Sequence, residues 1–545
     1  MVKEVDVHAL AAAHADGAVA VEVREPHEDA AWGHAMFEIV AVETPSLGDR
    51  SYLVHNGEVA LVIDPQRDID RILDLAEARR VRITHVFETH VHNDYVTGGL
   101  ALARITGAAY HLNADDPVAF EHRGLSDGEF VEVAPGLSVR ALATPGHTFT
   151  HLSYVLEAGG EPVGVFSGGS LLYGSTGRPD LLGPDHTDAL ARHQHASAQR
   201  LVVELPGSAQ VFPTHGFGSF CSATQADGTS STIGEEQQTN PALRLTEDDF
   251  VVALLAGLDA FPAYYAHMGP ANHAGPDGAD LSSPGLADPD QLRGRIDAGE
   301  WVVDLRSRTA FAAGHLAGSL NFGLDGSFAT YLGWLIPWGT PVTLLGETPE
   351  QVAEAQRELV RIGIDRPAAV ATGDPEEWAG ADPLAEYRRA AFSDMRAAGR
   401  DAVILDVRRR LEWVAGHIDG AQHIPLHELL DRLGEIPEGE VWGALPLRVP
   451  GVARGVDPGP GRAAGSGGGR RVRQRGGRRP ARDHYGREGG VSVWSRLRRL
   501  TRRSYRRAGP DDVAGGAARA SSTTAAARAE HRHPANSTTF TMQQL

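Results

Sequence analysis

The sequence predicts an α/β protein of several domains, and three observations carry that prediction. Between residues 36 and 220, runs of β-branched residues alternate with turns and helical patterns. Between 301 and 424, one strand–helix–Gly-His unit occurs twice. After Trp442 the apolar periodicity stops and arginine takes over. The length of 545 residues agrees with several domains at ~150 residues each.

The elements follow in order. FEIVAV, SYLVHN and ALVIDP read as strands, IDRILDLAEARR (69–80) as a helix and ITHVFETH (83–90) as another strand. Residues 221–285 form a polar connector, the helical stretch DDFVVALLAGL and the segment FPAYYAHMGPANHAG; Pro284 to Pro289 read as a linker. The repeat pairs Trp301–Asn321 with Ala402–Ile424. Asp304 aligns with Asp406, Arg306 with Arg408 and Gly314-His315 with Gly416-His417, at a constant offset of 102. Two small α/β units in succession are therefore expected. A fainter echo, VEVREPHEDAAWGH at 21–34, lies one residue out of register.

Composition narrows the function classes. The net charge of −20 is a sum of opposites. Residues 443–545 hold 21 Arg, no Lys and 6 acidic residues, a net of +15, whereas 1–442 hold 30 basic and 65 acidic residues, a net of −35. The acidic part repels nucleic acid and anionic membrane. No run approaches the ~20 apolar residues of a membrane span, and the start lacks the basic and apolar regions of a secretory signal, so a cytoplasmic protein is expected. A single cysteine, Cys221, excludes an intramolecular disulfide and cysteine-based zinc fingers. With 25 His beside it, metal chemistry is expected to rest on imidazole and carboxylate.

The segment from Glu88 to Gly99, ETHVHNDYVTGG, follows an apolar strand. His90 and His92 lie two apart, so an extended or tightly turned backbone lets both converge on one ion. His147 in ATPGHTFTH and His215 in FPTHGFGSFC stand beside glycines that allow a sharp turn at a strand's tip. Any one of these is an ordinary surface or core histidine by itself. Jointly and in this order they indicate a metal-binding scaffold.

The segments THVHND, TPGHT, GRPDL and PTHG, in this order and spacing, resemble the metallo-β-lactamase fold, and within it the persulfide dioxygenase and glyoxalase-II-like branch fused to rhodanese domains. The DVR…GH repeats resemble rhodanese domains. The resemblance implies an αββα sandwich over 36–275 with the metal at one edge of two packed sheets, then rhodanese-like units at 286–382 and 390–442. Two positions depart from the family: Tyr95 stands where its second-site histidine would be, and Gly169, in FSGGS, where its carboxylate ligand would be. A dinuclear hydrolase needs a bridging carboxylate, so one metal is expected, Fe(II) with Zn(II) as the alternative. His90, His92 and His147 are the expected ligands, Asp94 a further ligand or supporting partner, and His215 a second-site remnant. Asp94 and Tyr95 are the catalytic candidates, Tyr95 competing with a reading in which it fills the vacated pocket. Arg178 is the candidate anchor for a substrate carboxylate, competing with a structural pairing to Asp180.

The implied activity is oxidation of glutathione persulfide, or a similar thiol persulfide, to sulfite. The alternatives are zinc-dependent thioester hydrolysis or a scaffold without turnover. No nucleic acid or membrane partner is expected, and a homodimer is the assembly allowed for. An active rhodanese needs a cysteine in a loop of backbone N–H groups. The first repeat reads LLGETPEQ at that loop and carries none. The second is regular through EIPEGEVW and then becomes GALPLRVPGV and a disordered Arg/Gly-rich tail over 443–545. Read one base on, degenerate codons for Gly443 to Val452 permit VHCRSGYRAS, a persulfide-accepting loop. With one Lys against 50 Arg, the gene is expected to be GC-rich, and such a gene out of frame yields a tail of this composition. A basic arm binding nucleic acid is the competing reading of the tail.

Overall fold

A computed structural model describes residues 18–21, 37–223, 228–324, 327–387, 389–390, 403–437, 441–444 and 489–490. Two sheets face each other over 18–213. The first has seven strands in sequence order: β1 (Ala18–Val21), β2 (Glu38–Thr44), β3 (Asp49–His55), β4 (Val59–Ile63), β5 (Arg82–Phe87), β6 (Ala109–Asn113) and β7 (Arg123–Leu125). The second holds β8 (Phe130–Ala134), β9 (Leu137–Ala143), β10 (Leu152–Ala158), β11 (Glu161–Gly168) and β12 (Gln210–Pro213), with β12 parallel to β11. Tyr52, Leu61, Phe87, Leu152 and Phe166 meet in the core between them. The outer faces are covered too: α1 (Asp70–Arg79) and α2 (Gly99–Thr106) pack on the first sheet and α3 (Pro184–Glu204) on the second. Strands apolar on both faces explain why the segments read as nearly continuous hydrophobic runs. This is the expected αββα sandwich.

The strands sit where the sequence put them, with one informative difference. The run ITHVFETH was expected to remain strand through His90, but β5 stops at Phe87. Its partner strands β4 and β6 pair no further, so Glu88 onward is released as a loop at the sheet's edge. The links β9–β10, β11–α3 and the one after β12 emerge at the same edge.

The repeat forms two parallel sheets. Strands β13 (Trp301–Asp304), β14 (Leu320–Asn321), β15 (Val342–Gly346) and β16 (Ala369–Thr372) are ordered β14-β13-β15-β16. Strands β17 (Val403–Asp406), β18 (Gln422–His423) and β19 (Val441–Ala444) are ordered β18-β17-β19, the same arrangement lacking its fourth strand among the described residues. The aligned residues do the same work in both copies. Arg306 clasps the Asp304 carboxylate and donates to Gly314 O at 2.8 Å; Arg408 clasps Asp406 and donates to Gly416 O at 2.7 Å. His315 lies over Phe311 and His417 over Trp413, each with Nδ1 bonded to the carbonyl of the ring it covers. The Asp-x-Arg…Gly-His pattern is thus a structural lock.

The linker is not slack, because Gly285 O and Ala287 N bond Val370 on β16. The first unit packs directly on the sandwich. Three helices meet at this junction: α4 (Tyr265–Ala274), α5 (Phe328–Leu335) and α6 (Pro349–Arg361). Tyr264, Met268, Phe328, Leu332 and Leu359 share one core cluster with Tyr95 and Val96 of the metal loop. Most of the 21–34 echo and nearly all of 443–545 lie outside the described residues. No helix among the described residues is long and apolar enough to cross a membrane.

Candidate metal centre

Four buried imidazoles gather at the sheet edge, and each has one nitrogen tied down. Thr89 Oγ1 gives its proton to Asp64 Oδ2 at 2.7 Å, so toward His90 Nδ1, 2.9 Å away, it can only accept. His147 Nδ1 donates to the carbonyl of Arg178 at 2.8 Å. His215 Nδ1 faces Asp49 Oδ1 at 2.9 Å and Asp94 Oδ2 at 3.1 Å. His92 is held through Nε2, at 3.0 Å from the Tyr95 hydroxyl, 3.1 Å from Glu88 and 3.3 Å from Asp64. The other nitrogens are left to converge. His90 Nε2 and His215 Nε2 are 3.4 Å apart, and His147 Nε2 and His92 Nδ1 are buried without a hydrogen-bond partner.

Such orphaned lone pairs cost stability unless something fills them, and a cation does. Ligand atoms of His90, His92 and His215 lie within 4.8 Å of one another, as do those of His147, His215 and Cys221. Two carboxylate clusters flank them, Asp49–Asp94–His215 and Asp64–Glu88–His92. Both engage the far nitrogen of an imidazole, so they orient His215 and His92 rather than form separate ion sites. Electrostatics follow. Burial, then the neighbouring imidazoles, pushes His147 down to about 3 and His90 well below its usual value, leaving both as neutral donors. Burial alone would depress His92, but Asp64 and Glu88 outweigh it and hold it up at about 9. Burial, then the Asp94 charge, pushes Asp49 up to about 7. The donor set fits a borderline divalent ion of the Fe(II) or Zn(II) kind.

Residues 48–215 match the family described as Metallo-beta-lactamase superfamily. A hydroxyacylglutathione hydrolase-like protein of Mus musculus is 30% identical over 205 residues, 33% of this chain and 70% of that protein. The chain belongs to the metallo-beta-lactamase superfamily. Residues 288–381 and 389–441 match the rhodanese-like domain, so this superfamily member carries rhodanese-like units behind its metal domain. The human mitochondrial persulfide dioxygenase ETHE1 is 28% identical over 222 residues, 40% of this chain and 77% of that one. The crystal structure of a metallo-beta-lactamase from Staphylococcus aureus superposes with a TM-score of 0.56 at 27% identity, covering 62% of this chain and 99% of that one. That coverage exceeds the metal domain alone, so the likeness extends into the rhodanese-like region.

Against the superfamily pattern the two departures have clear geometry. Tyr95 packs flat against His92, with ring centroids 4.3 Å apart, and its hydroxyl reaches His92 and Asp64 O. It buttresses His92 instead of offering a ligand. Gly169 lies against His147: a Cβ there would fall 2.3 Å from His147 Cδ2. Arg178 borders the centre through its carbonyl, while its guanidinium is committed to the Asp180 carboxylate at 2.7 and 2.8 Å and to the carbonyls of Phe220 and Asp259. Four of its five N–H donors are thus used within this loop, which matches the structural pairing to Asp180. His215, expected as a remnant, is shared by both groups of converging donors.

Sequence reasoning missed Asp49, Asp64, Glu88, His151, Asn272 and Cys221. His151 accepts from Gly169 N at 3.0 Å and so holds the glycine turn against His147. Asn272 on α4 donates to the carbonyls of His92 and Tyr95 at 2.8 and 2.9 Å and accepts from Thr97 N at 2.9 Å. The position of Asp64 at a strand's C-terminal end was a usable signal. The others had none in the local pattern.

Proposed function

We propose that this chain is a mononuclear metal-dependent dioxygenase acting on a low-molecular-weight thiol persulfide such as glutathione persulfide. The observation that supports it best is the convergence of His90, His92 and His215, with His147 joined to them through His215, while Tyr95 and Gly169 supply no ligand for a second ion. A hydrolase of the dinuclear kind would draw ligands from those two positions. Ferrous iron in this cage would supply the redox chemistry between dioxygen and the terminal sulfur. One persulfide, one dioxygen and one water give one thiol, one sulfite and two protons; the terminal sulfur is oxidised and dioxygen reduced.

The chain's own residues do the rest. His90, His92, His147 and His215 present the nitrogens, and Asp64, Glu88, Asp49 and Asp94 fix the rings of His92 and His215. Full burial of these groups excludes bulk water from the reacting atoms. Asp94 Oδ2 lies 3.1 Å from His215 Nδ1, which leaves Oδ1 as the oxygen to take a proton released beside the centre. The similarity to hydroxyacylglutathione hydrolases favours a second reading, zinc-dependent cleavage of a glutathione thioester, in which the same carboxylate would serve a metal-bound water.

Metal analysis of the purified chain, combined with oxygen uptake on glutathione persulfide, tests the proposal. About one iron per chain, uptake that requires persulfide, and loss of both on chelation are the expected results. Zinc with thioester cleavage and no uptake would replace the first reading by the second.

A further inference from the structure

The centre has four imidazole donors and no anionic ligand. A divalent ion held by imidazoles alone would meet its counter-charges only one residue further out, at Asp64, Glu88, Asp49 and Asp94, and a direct anionic ligand lowers the cost of burying it. The strand that carries a carboxylate ligand in the family cannot supply one here. At Gly169 a Cβ would lie 2.3, 2.6 and 3.0 Å from three atoms of the His147 ring, so that ring occupies the space a ligand side chain would use. Asp94 and Asp49 are turned to the far nitrogen of His215.

One group remains. Cys221, the only cysteine of the chain, is fully buried and free. Its Sγ lies within 4.8 Å of donor nitrogens of both His147 and His215. The backbone around it is pinned, because Cys221 O accepts from Arg178 N at 2.8 Å and Cys221 N donates to Ser219 Oγ at 3.2 Å. Independently of the sulfur, His147 has Nδ1 tied to Arg178 O and Nε2 buried without a partner, which leaves Nε2 as its free donor atom beside Cys221. An ion bound at about 2.0–2.3 Å to nitrogen and sulfur would hold these atoms roughly 3.4–3.6 Å apart, a closure of at most about 1.4 Å from the separations here. The bland alternative is an inert core thiol, since Cys221 also touches the cluster containing Tyr264, Tyr265 and Met268.

We infer that Cys221 is the anionic ligand of the centre, its thiolate standing with His147 Nε2 and His215 Nε2 in the role that a carboxylate fills in the family. The inference rests on the reading of the cluster as a metal site. The S–H proton leaves to solvent as the ion binds, and no electrons are transferred. Thiolate is a soft donor that suits Fe(II), Zn(II) and Co(II) alike and offsets one unit of the ion's charge.

The full chain, purified without added thiol and loaded with Co(II), tests this directly. A near-ultraviolet thiolate-to-cobalt charge-transfer band is expected in the parent protein, alongside visible ligand-field bands. In Cys221→Ser the charge-transfer band should vanish while the ligand-field bands persist, and Co(II) affinity should fall by more than the ~10–100-fold cost of losing an outer partner. Ligand-field bands in the parent without the charge-transfer band would overturn the inference while leaving the metal site intact. Failure of the parent to take up any ion would overturn both. The parent spectrum alone decides even if the variant does not fold. Zn X-ray absorption, with one sulfur at about 2.3 Å expected, decides the same question independently.

Discussion

Residue by residue, the site is set by which atom faces the centre. The glycine at 169 looks in the sequence like a lost ligand, so restoring Asp is the obvious repair. The structure argues the reverse. An Asp side chain at Gly169 must displace the His147 ring, which Gly177 confines on its other side, where a Cβ would lie 2.8 Å from His147 Nδ1. Gly169→Asp is therefore expected to lower bound metal at least about tenfold, a repositioned ligand costing no less than a lost outer partner; titration with Co(II) or Zn(II) checks it, and a gain in affinity would show that His147 can move. Tyr95→Phe removes the hydroxyl from His92 and should weaken metal binding about 10-fold with little change in fold, read by the same titration and circular dichroism. The four histidines were legible because each sits in a short pattern of its own. Asp49 was not, since it meets His215 from 166 residues away and only the sheet brings them together. Cys221 was read through what one cysteine excludes, and its neighbours are invisible to spacing.

Among the elements, the loop from Glu88 to Gly98 is held by helices outside the sandwich. Asn272 on α4 takes up three of the loop's backbone groups, and Val96 N donates to Arg361 O at the end of α6 at 2.7 Å. Asn272→Ala leaves buried backbone groups unsatisfied, at about 1–3 kcal/mol each. The variant is expected to melt several degrees lower and to bind metal more weakly, both effects appearing together in thermal scans with and without Zn(II). Unchanged metal affinity would show that the loop holds itself. Strands and helices of the sandwich were legible because both sheet faces are buried and their apolar runs are long. The end of β5 was not, because it is decided by where neighbouring strands stop pairing. The α4 segment, with Pro270 inside it and a polar Asn on its buried face, gave no periodic signal.

The whole molecule behaves as a metal domain with a docked partner unit. Arg357 grips Asp70 with two bonds of 2.6 Å, Arg361 reaches Asp68 at 2.7 Å and Arg67 reaches Asp365 at 2.8 Å across that seam. Glu358 lies in the same seam with Oε2 buried and unpartnered, and burial pushes its carboxyl up to about 7 despite Arg361. A raised folded-state value means the stabilising state is the protonated one. That contribution is complete below the ordinary value of 4.5 and is lost as pH rises through about 7. Glu358→Gln should therefore raise the melting temperature by a few degrees (~2–5 °C) at pH 8 and hardly change it near pH 4.5; a shift independent of pH would exclude titration of Glu358 as the cause.

The second repeat poses the last test at this scale. Strand β19 pairs with β17 in the register that β15 keeps with β13, and in the first unit β15 leads into the Thr348-capped helix α6 and then β16. The second unit needs the same helix and strand to cover β19, yet the residues after Ala444 offer Arg, Gly and Pro instead of an apolar face. A one-base shift from the Gly443 codon would put Val-His in the strand, where Gly-Ala now stands, and Cys in the loop that follows. On this reading, resequencing the locus across the Trp442 codon shows one frame-shifting base, and the frame-restored chain gains a sulfur-accepting cysteine that thiol alkylation detects after persulfide treatment. The restored chain should also melt higher, since an apolar helix and strand after β19 would add buried surface to the second unit. An uninterrupted frame shared by close relatives would instead make 443–545 a segment of the working protein, and its net of +15 a property to be explained by a partner.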